Sequence, residues 1–223
     1  MNEEFIEFLA TNGAIKFGEF KLKSGRISPY FINTGVLCTG GATYILGKHF
    51  AKKIEEVCDS KGDKIDVIYG PAYKGIPLGV ATSIAFLKEM GKEKGWLFDR
   101  KERKIRGDSG VFVGFIRDEG MKIVIVDDVF TTGGTKVEAI EKLEKGLKAE
   151  VKGIIIAVDR QEIGRTKNAT TEFTEQTGVP VYSIVTITEV FDYLKNKEIN
   201  GKIYVDDGNY EEFVNYRKKY GEK

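Results

Sequence analysis
The chain has 223 residues, and 35 Lys and Arg set against 34 Asp and Glu give it a formal charge of +1. With 41% hydrophobic and 31% charged residues it reads as a globular protein rather than a disordered one, and balanced charge argues against a nucleic-acid partner. No apolar run approaches the ~18 residues of a membrane span, the acidic start Met1-Asn2-Glu3-Glu4 is unlike a signal peptide, and Cys38 and Cys58 form no disulfide framework, so a cytoplasmic protein without membrane contact is expected.

In chain order, Glu3–Ala10 places Phe5, Ile6, Phe8 and Leu9 on one helical face and stops at Asn12-Gly13. Two short strands follow, Ala14–Phe17 and Glu19–Leu22, closed by a Ser24-Gly25 turn. Thr39-Gly40-Gly41 opens a helix to about Val57. Ile65–Tyr69 reads as a buried strand, Ile76–Met90 as a helix, and Trp96–Phe98 as a short strand. Arg100–Gly110 is polar, with no regular pattern. Ile123–Val126 is a fully apolar strand, and Thr135–Leu147 is a helix with a Lys/Glu outer face. Ile154–Val158 and Val181–Val185 are further strands, separated by a short helix at Thr171–Thr177 and followed by one at Glu189–Lys195.

Apolar strands alternating with amphipathic helices predict an α/β fold: an open, mostly parallel twisted sheet with helices on both faces. The first forty residues break that rhythm. The expected division is a small N-terminal hood over 1–40, a core over 41–205 and a helical tail over 206–223 carrying Tyr210, Phe213, Val214 and Tyr216. One histidine and two cysteines argue against a multi-ligand zinc site. His49, on an amphipathic helix, is expected at the surface or half-buried, and Cys38 as a buried structural thiol. Any metal should be a hard cation held by oxygens.

In an open parallel sheet, ligands bind beyond the carboxyl ends of the strands. There the strand Ile123–Val126 runs into Asp127-Asp128-Val129-Phe130-Thr131-Thr132-Gly133-Gly134-Thr135 and then a helix. Glycines let backbone N–H groups converge, the helix N-terminus favours an anion, and threonine hydroxyls add donors. Two carboxylates beside such a phosphate cradle suit a ligand that presents hydroxyls or Mg²⁺ at that edge. A ribose 5-phosphate does so. There is no Walker loop and no GxGxxG after the first strand. Arg100, Lys101, Arg103, Lys104 and Arg106 face a single Glu102 in one segment, a charge excess suited to a polyanion. Gly70-Pro71-Ala72-Tyr73-Lys74-Gly75 offers backbone amides and Lys74 at another strand end, suited to diphosphate oxygens.

The Asp127–Thr135 stretch resembles the phosphoribosyl-diphosphate (PRPP) motif of type I phosphoribosyltransferases. Joined with Phe20-Lys21-Leu22-Lys23-Ser24-Gly25-Arg26, Ser28-Pro29-Tyr30-Phe31-Ile32-Asn33, Gly70–Gly75, Arg100–Lys104 and Asp159-Arg160-Gln161-Glu162, it makes the chain similar to the orotate phosphoribosyltransferases from about Phe8 to Val190. The resemblance implies Mg²⁺-dependent transfer of phosphoribose from PRPP to orotate, a step of pyrimidine (UMP) biosynthesis, in a homodimer whose active sites are shared across the interface. It implies that Lys23, Phe31, Ile32, Thr131 and Arg160 bind the base, with the Arg160 guanidinium on its carboxylate. It assigns Tyr73, Lys74, Arg100, Lys101, Lys104, Arg106, Asp127, Asp128, Val129, Phe130, Thr131, Thr132, Gly133, Gly134 and Thr135 to PRPP. Lys104, from a mobile loop that closes over the neighbouring subunit's site, and Asp128 are the catalytic candidates. No residue is assigned as a direct metal ligand: Mg²⁺ is expected mainly through PRPP, with Asp127 and Asp128 near it through water.

Two positions depart from the family pattern. Arg106 stands where a histidine is common, and Ile32 where Phe is common, which keeps backbone contacts but removes stacking. Two alternatives stay open, a phosphoribosyltransferase for another base and a PRPP-sensing regulator. The Lys23 region and Asp159–Glu162 speak against the first. The lack of a basic face or an added winged helix speaks against the second.

Overall fold
A computed structural model describes residues 1–22, 24–104, 110–117, 120–130 and 133–222, with the backbone alone for Arg103 and Lys104. Lys23, Arg106, Thr131 and Thr132, all assigned to the site from sequence, therefore lie outside the described residues, as does the Lys104 side chain.

Helix α1 (Glu3–Thr11) starts where the Asn2 side chain accepts a hydrogen bond from the Phe5 amide, with Glu3 and Glu4 favourably placed in the first turn. Strands β1 (Ile15–Lys21) and β2 (Ile27–Ile32) form an antiparallel hairpin of their own. The two strands expected over 14–22 are thus one strand with an irregularity between Phe17 and Phe20, and its partner is the Ser28–Phe31 stretch. Helix α2 (Gly40–Val57), capped by Thr39, follows. Then come β3 (Val67–Tyr69), α3 (Gly75–Met90), β4 (Gly95–Lys104), β5 (Gly110–Gly114), β6 (Lys122–Val129), α4 (Gly134–Leu147) and β7 (Glu150–Asp159). The chain continues with α5 (Ala169–Thr177), β8 (Val181–Thr186), α6 (Ile187–Leu194), the short pair β9 (Glu198–Ile199) and β10 (Lys202–Ile203), and α7 (Asp207–Tyr220).

Six strands make the main sheet in the order β5-β4-β3-β6-β7-β8. All neighbours run parallel except β4 and β5. Strand alternation sends successive residues to opposite faces, and both faces are covered. Val124, Val126, Ile155 and Ala157 join one core with α1, α2, α6 and α7, while Ile123, Ile125, Ile154 and Ile156 join the other with α4 and α5. This is the predicted α/β class.

Three further expectations change. Residues 100–104, read as irregular, continue β4, whose antiparallel ladder with β5 is irregular between Asp99 and Lys104 and resumes where Lys104 meets Gly110. His49 is fully buried against Phe5, at 4.7 Å between ring centroids, with its Nδ1 accepting from Asn2 Nδ2 at 3.2 Å. That face of α2 meets α1 through Phe5 and the residue that caps it, Asn2. Cys38 is exposed, because it lies in the short connection before α2, whereas Cys58 is the buried thiol, pushed up to about 11 by that burial. No helix among the described residues is long and apolar enough to cross a membrane.

Candidate active site
Strand β6 is hydrogen-bonded on both sides, to β3 and β7, so the carboxylates at its end sit on a rigid support. Asp127 Oδ1 accepts from the Asp128 amide at 2.8 Å, and Asp128 Oδ1 from the Val129 amide at 2.9 Å. Asp127 Oδ2 pairs with Lys136 Nζ at 2.5 Å, and the same ammonium donates to the Val129 carbonyl at 3.2 Å. Lys136 is buried in the first turn of α4. Sequence reading placed it among the outer Lys/Glu residues of that helix; a basic residue so soon after an acid pair was the available signal. Burial, and next the negative charge of Asp127, hold the Asp128 carboxyl above its ordinary range, and Lys74 offsets this only in part.

The turn after β6 needs glycine at 133. Its φ is 74°, and a Cβ there would stand 2.7 Å from Phe173 Cδ2 and 2.9 Å from Phe130 Cζ. Phe130 is itself buried edge-on against Phe173, so only its backbone can meet a ligand. Helix α4 begins at Gly134 and Thr135 with no side-chain cap. Its first amides are left to water or an anion.

Beside this turn, Gly70–Gly75 joins β3 to α3 in a tight loop: a Cβ on Gly70 would lie 1.9 Å from the Gly75 carbonyl oxygen. The Ala72–Tyr73 peptide is cis. The Ala72 amide donates to Asp99 Oδ1 at 3.3 Å, and Asp99 Oδ2 accepts from Lys142 at 3.1 Å, which fixes the loop to β4 and α4. Lys74 Nζ donates to Asn33 Oδ1 at 3.1 Å and lies 3.6 Å from Asp128 Oδ2. One lysine therefore connects the end of β2, the Gly70–Gly75 loop and the acid pair. Asn33, quoted in a motif but given no role from sequence, is the residue this geometry adds. Lys101 Nζ lies 4.6 Å from the centroid of the exposed Tyr73 ring, and Arg100 Nη1 donates to the Gly110 carbonyl at 3.2 Å across the β4–β5 hairpin. The basic segment is thereby aimed beside the same loop.

At the other end, Arg160 follows β7 and is only 8% exposed. Its guanidinium lies 4.5 Å from the Tyr30 ring centroid, and Nε and Nη2 donate to Glu162 Oε1 at 3.0 and 2.6 Å. Strand alternation separates Phe31 from Ile32. Phe31 is 41% exposed and stacks on Phe20, while Ile32 turns into the main core. Their side chains do not line one pocket together; of β2, it is Tyr30 that meets Arg160.

An acid pair and a glycine turn at the end of a central parallel strand, an amide-rich loop beside it and a basic hairpin over that loop define the class of type I phosphoribosyltransferases. The model of the phosphoribosyl transferase domain matches residues 40–197. The chain is 43% identical over 222 residues to the orotate phosphoribosyltransferase of Clostridium acetobutylicum, covering 99% of this chain and 98% of that one. It is 42% identical, at the same coverage, to that of Clostridium beijerinckii. Among solved structures, the orotate phosphoribosyltransferase of Francisella tularensis superposes with a TM-score of 0.80 at 36% identity, over 98% of this chain and 99% of that one. This chain belongs to the orotate phosphoribosyltransferase family.

Proposed function
We propose that the chain transfers the 5-phosphoribosyl group of PRPP to a ring nitrogen of orotate, giving orotidine 5-phosphate and diphosphate. The observation that carries this reading is the Lys74 junction, which ties the end of the base-side hairpin to both phosphate-side loops. The turn around Gly133–Thr135, with Thr131 and Thr132, would hold the 5-phosphate through backbone amides and hydroxyls. Asp127 and Asp128 would accept the ribose hydroxyls. As the C1–O bond to diphosphate breaks, positive charge grows on the ribose ring, and Asp128 would disperse it from a largely desolvated position. Lys74, Arg100, Lys101 and Lys104 would take up the charge of the departing diphosphate, with Tyr73 and Arg106 beside them. Lys23, Thr131, the backbone at Phe31 and Ile32, and Arg160 would hold the base, the guanidinium matching a planar carboxylate.

Among the described residues no three His, Cys, Asp or Glu side chains converge as a metal cage. Two adjacent hard carboxylates, each already near a lysine, suit a cation that keeps phosphate oxygens and waters as most of its ligands, as Mg²⁺ does. Bound with PRPP near Asp127 and Asp128, Mg²⁺ would neutralise diphosphate charge. The exposed apolar residues Ile84 and Leu87 on α3 and Trp96, Phe115 and Ile116 at the β4–β5 edge support a homodimer. In such a dimer, the basic segment of one copy would close over the site of the other. The cytoplasm fits a chain of this kind.

The test is loss of orotate absorbance with purified protein, PRPP and Mg²⁺. The expected result is loss that EDTA abolishes, with no reaction when adenine replaces orotate. Intact PRPP binding without consumption of orotate would overturn the reading.

A further inference from the structure
The tail beyond residue 206 has no role in the chemistry above, yet it ends on the residues that hold Arg160. We infer that Glu162 is a positioning residue for Arg160, and that helix α7, through Tyr216, is a working part of the base site. The inference rests on the reading that Arg160 takes the carboxylate of orotate.

Three donors converge on one oxygen: Arg160 Nε at 3.0 Å, Arg160 Nη2 at 2.6 Å and the Tyr216 hydroxyl at 2.7 Å all meet Glu162 Oε1. The other oxygen, Oε2, lies 3.5 Å from Arg26 Nη1, and the Arg26 guanidinium in turn sits 4.8 Å from the Tyr220 ring centroid. The backbone around Glu162 is fixed to the same helix end. The Ile163 amide donates to the Tyr220 carbonyl at 2.9 Å, and the Glu222 amide to the Gln161 carbonyl at 3.0 Å. Asn168 Nδ2 reaches Glu222 Oε2 at 3.2 Å. On its other side the turn is held by Thr188, whose amide donates to Gln161 Oε1 at 3.2 Å and whose hydroxyl does so at 2.5 Å.

A carboxylate that merely neutralised a buried arginine would need one contact. Here the Nε–Nη2 edge is taken by Glu162 and one ring face is covered by Tyr30, so the plane of the guanidinium is set. The Tyr216 hydroxyl interacts with the same guanidinium, and the donors not taken by Glu162 and Tyr216 are the ones left for a ligand. Glu162 faces two guanidiniums, Arg26 and Arg160, so one positive charge remains unmatched among those three groups. An anionic base meets a cation whose orientation is already settled, and less freedom is lost on binding. Tyr216 enters because its hydroxyl fixes the carboxylate that fixes the arginine.

The experiment is steady-state kinetics of Tyr216→Phe, Glu162→Gln and Arg160→Lys, and of Tyr216→Phe combined with Arg160→Lys. PRPP binding and thermal melting report on folding. Tyr216→Phe should raise the KM for orotate by about three- to tenfold, the scale of one ordinary hydrogen bond, because its loss reaches the base only through Glu162 and Arg160. Glu162→Gln should raise it further. The KM for PRPP should stay within about twofold of wild type in both. In the Arg160→Lys background Tyr216→Phe should add nothing, because two residues acting through one contact are not additive. Equal shifts of both KM values, no shift in either, or full additivity in the double variant would overturn the inference. If Glu162→Gln does not fold, Tyr216→Phe still decides. An unchanged orotate KM in Arg160→Lys would overturn the carboxylate reading itself, a result distinct from the others.

Discussion

At position 133 the backbone is left-handed and the space a side chain would need is filled by Phe173 and Phe130. Replacing Gly133 with Ala should cost about 1–3 kcal/mol, through strain and displacement of the turn. PRPP affinity, read by equilibrium binding, should fall about tenfold or more, and wild-type affinity would contradict the placement of that turn. His49 gives a prediction about pH. Burial pushes its imidazole down from 6.5 to about 4, so the folded state resists protonation while the unfolded chain accepts it. Its contribution to stability is therefore present above pH 6.5 and is lost as pH falls toward 4. Between pH 7 and pH 4.5 the loss should be on the order of 2 kcal/mol. Chemical denaturation of His49→Phe across that range should show a shallower decline than wild type, and parallel curves would contradict it. The sequence showed this histidine on an amphipathic helix; its burial depends on α1 folding across it, which no periodicity within α2 announces.

The elements legible from sequence were those whose own side chains declare a period. Strands β6, β7 and β8, and helices α2, α3 and α4, lie where apolar runs or 3.6-residue spacing put them. Strand β4 beyond Asp99 was not legible. Arg100–Lys104 has no apolar face; it prolongs a strand whose Phe98 and Asp99 pair with Val113 and Phe112 and whose Lys104 meets Gly110, so the cause lies on another strand. The same reasoning covers Lys136, whose charge suggested solvent until the strand end supplied Asp127. Gly114 tests the hairpin. Its φ is 121°, and a Cβ there would be 2.2 Å from the Trp96 carbonyl oxygen. Gly114→Ala should splay β5 from β4, lower the melting temperature, and cut turnover at least tenfold by misplacing the basic segment. Wild-type turnover and melting temperature would show that the hairpin is not paired in this way.

Over the whole molecule, the core on one face of the sheet joins α1 to α7. Phe191 of α6 stacks on Phe213 of α7 at 3.9 Å, and Tyr30 of the hairpin meets both rings edge-on. The two ends of the chain, read from sequence as an appendage and a tail, thus pack on each other over one end of the sheet. Residues 30 and 216 carry no signal of that meeting, because the sheet fold must form before they are neighbours. Local pattern disclosed the phosphate side of the site, since Asp127 to Thr135 is continuous in sequence. The base side is assembled from β2, the end of β7 and α7, and only the resemblance to a family indicated Arg160.

The central claim is that a buried, preoriented arginine reads the carboxylate of the base. Its most direct test is turnover of orotate and uracil side by side, at saturating PRPP and Mg²⁺. A site whose buried cation is left unpaired by uracil should favour orotate by about 10⁴ in kcat/KM. Comparable turnover of the two bases would contradict the account.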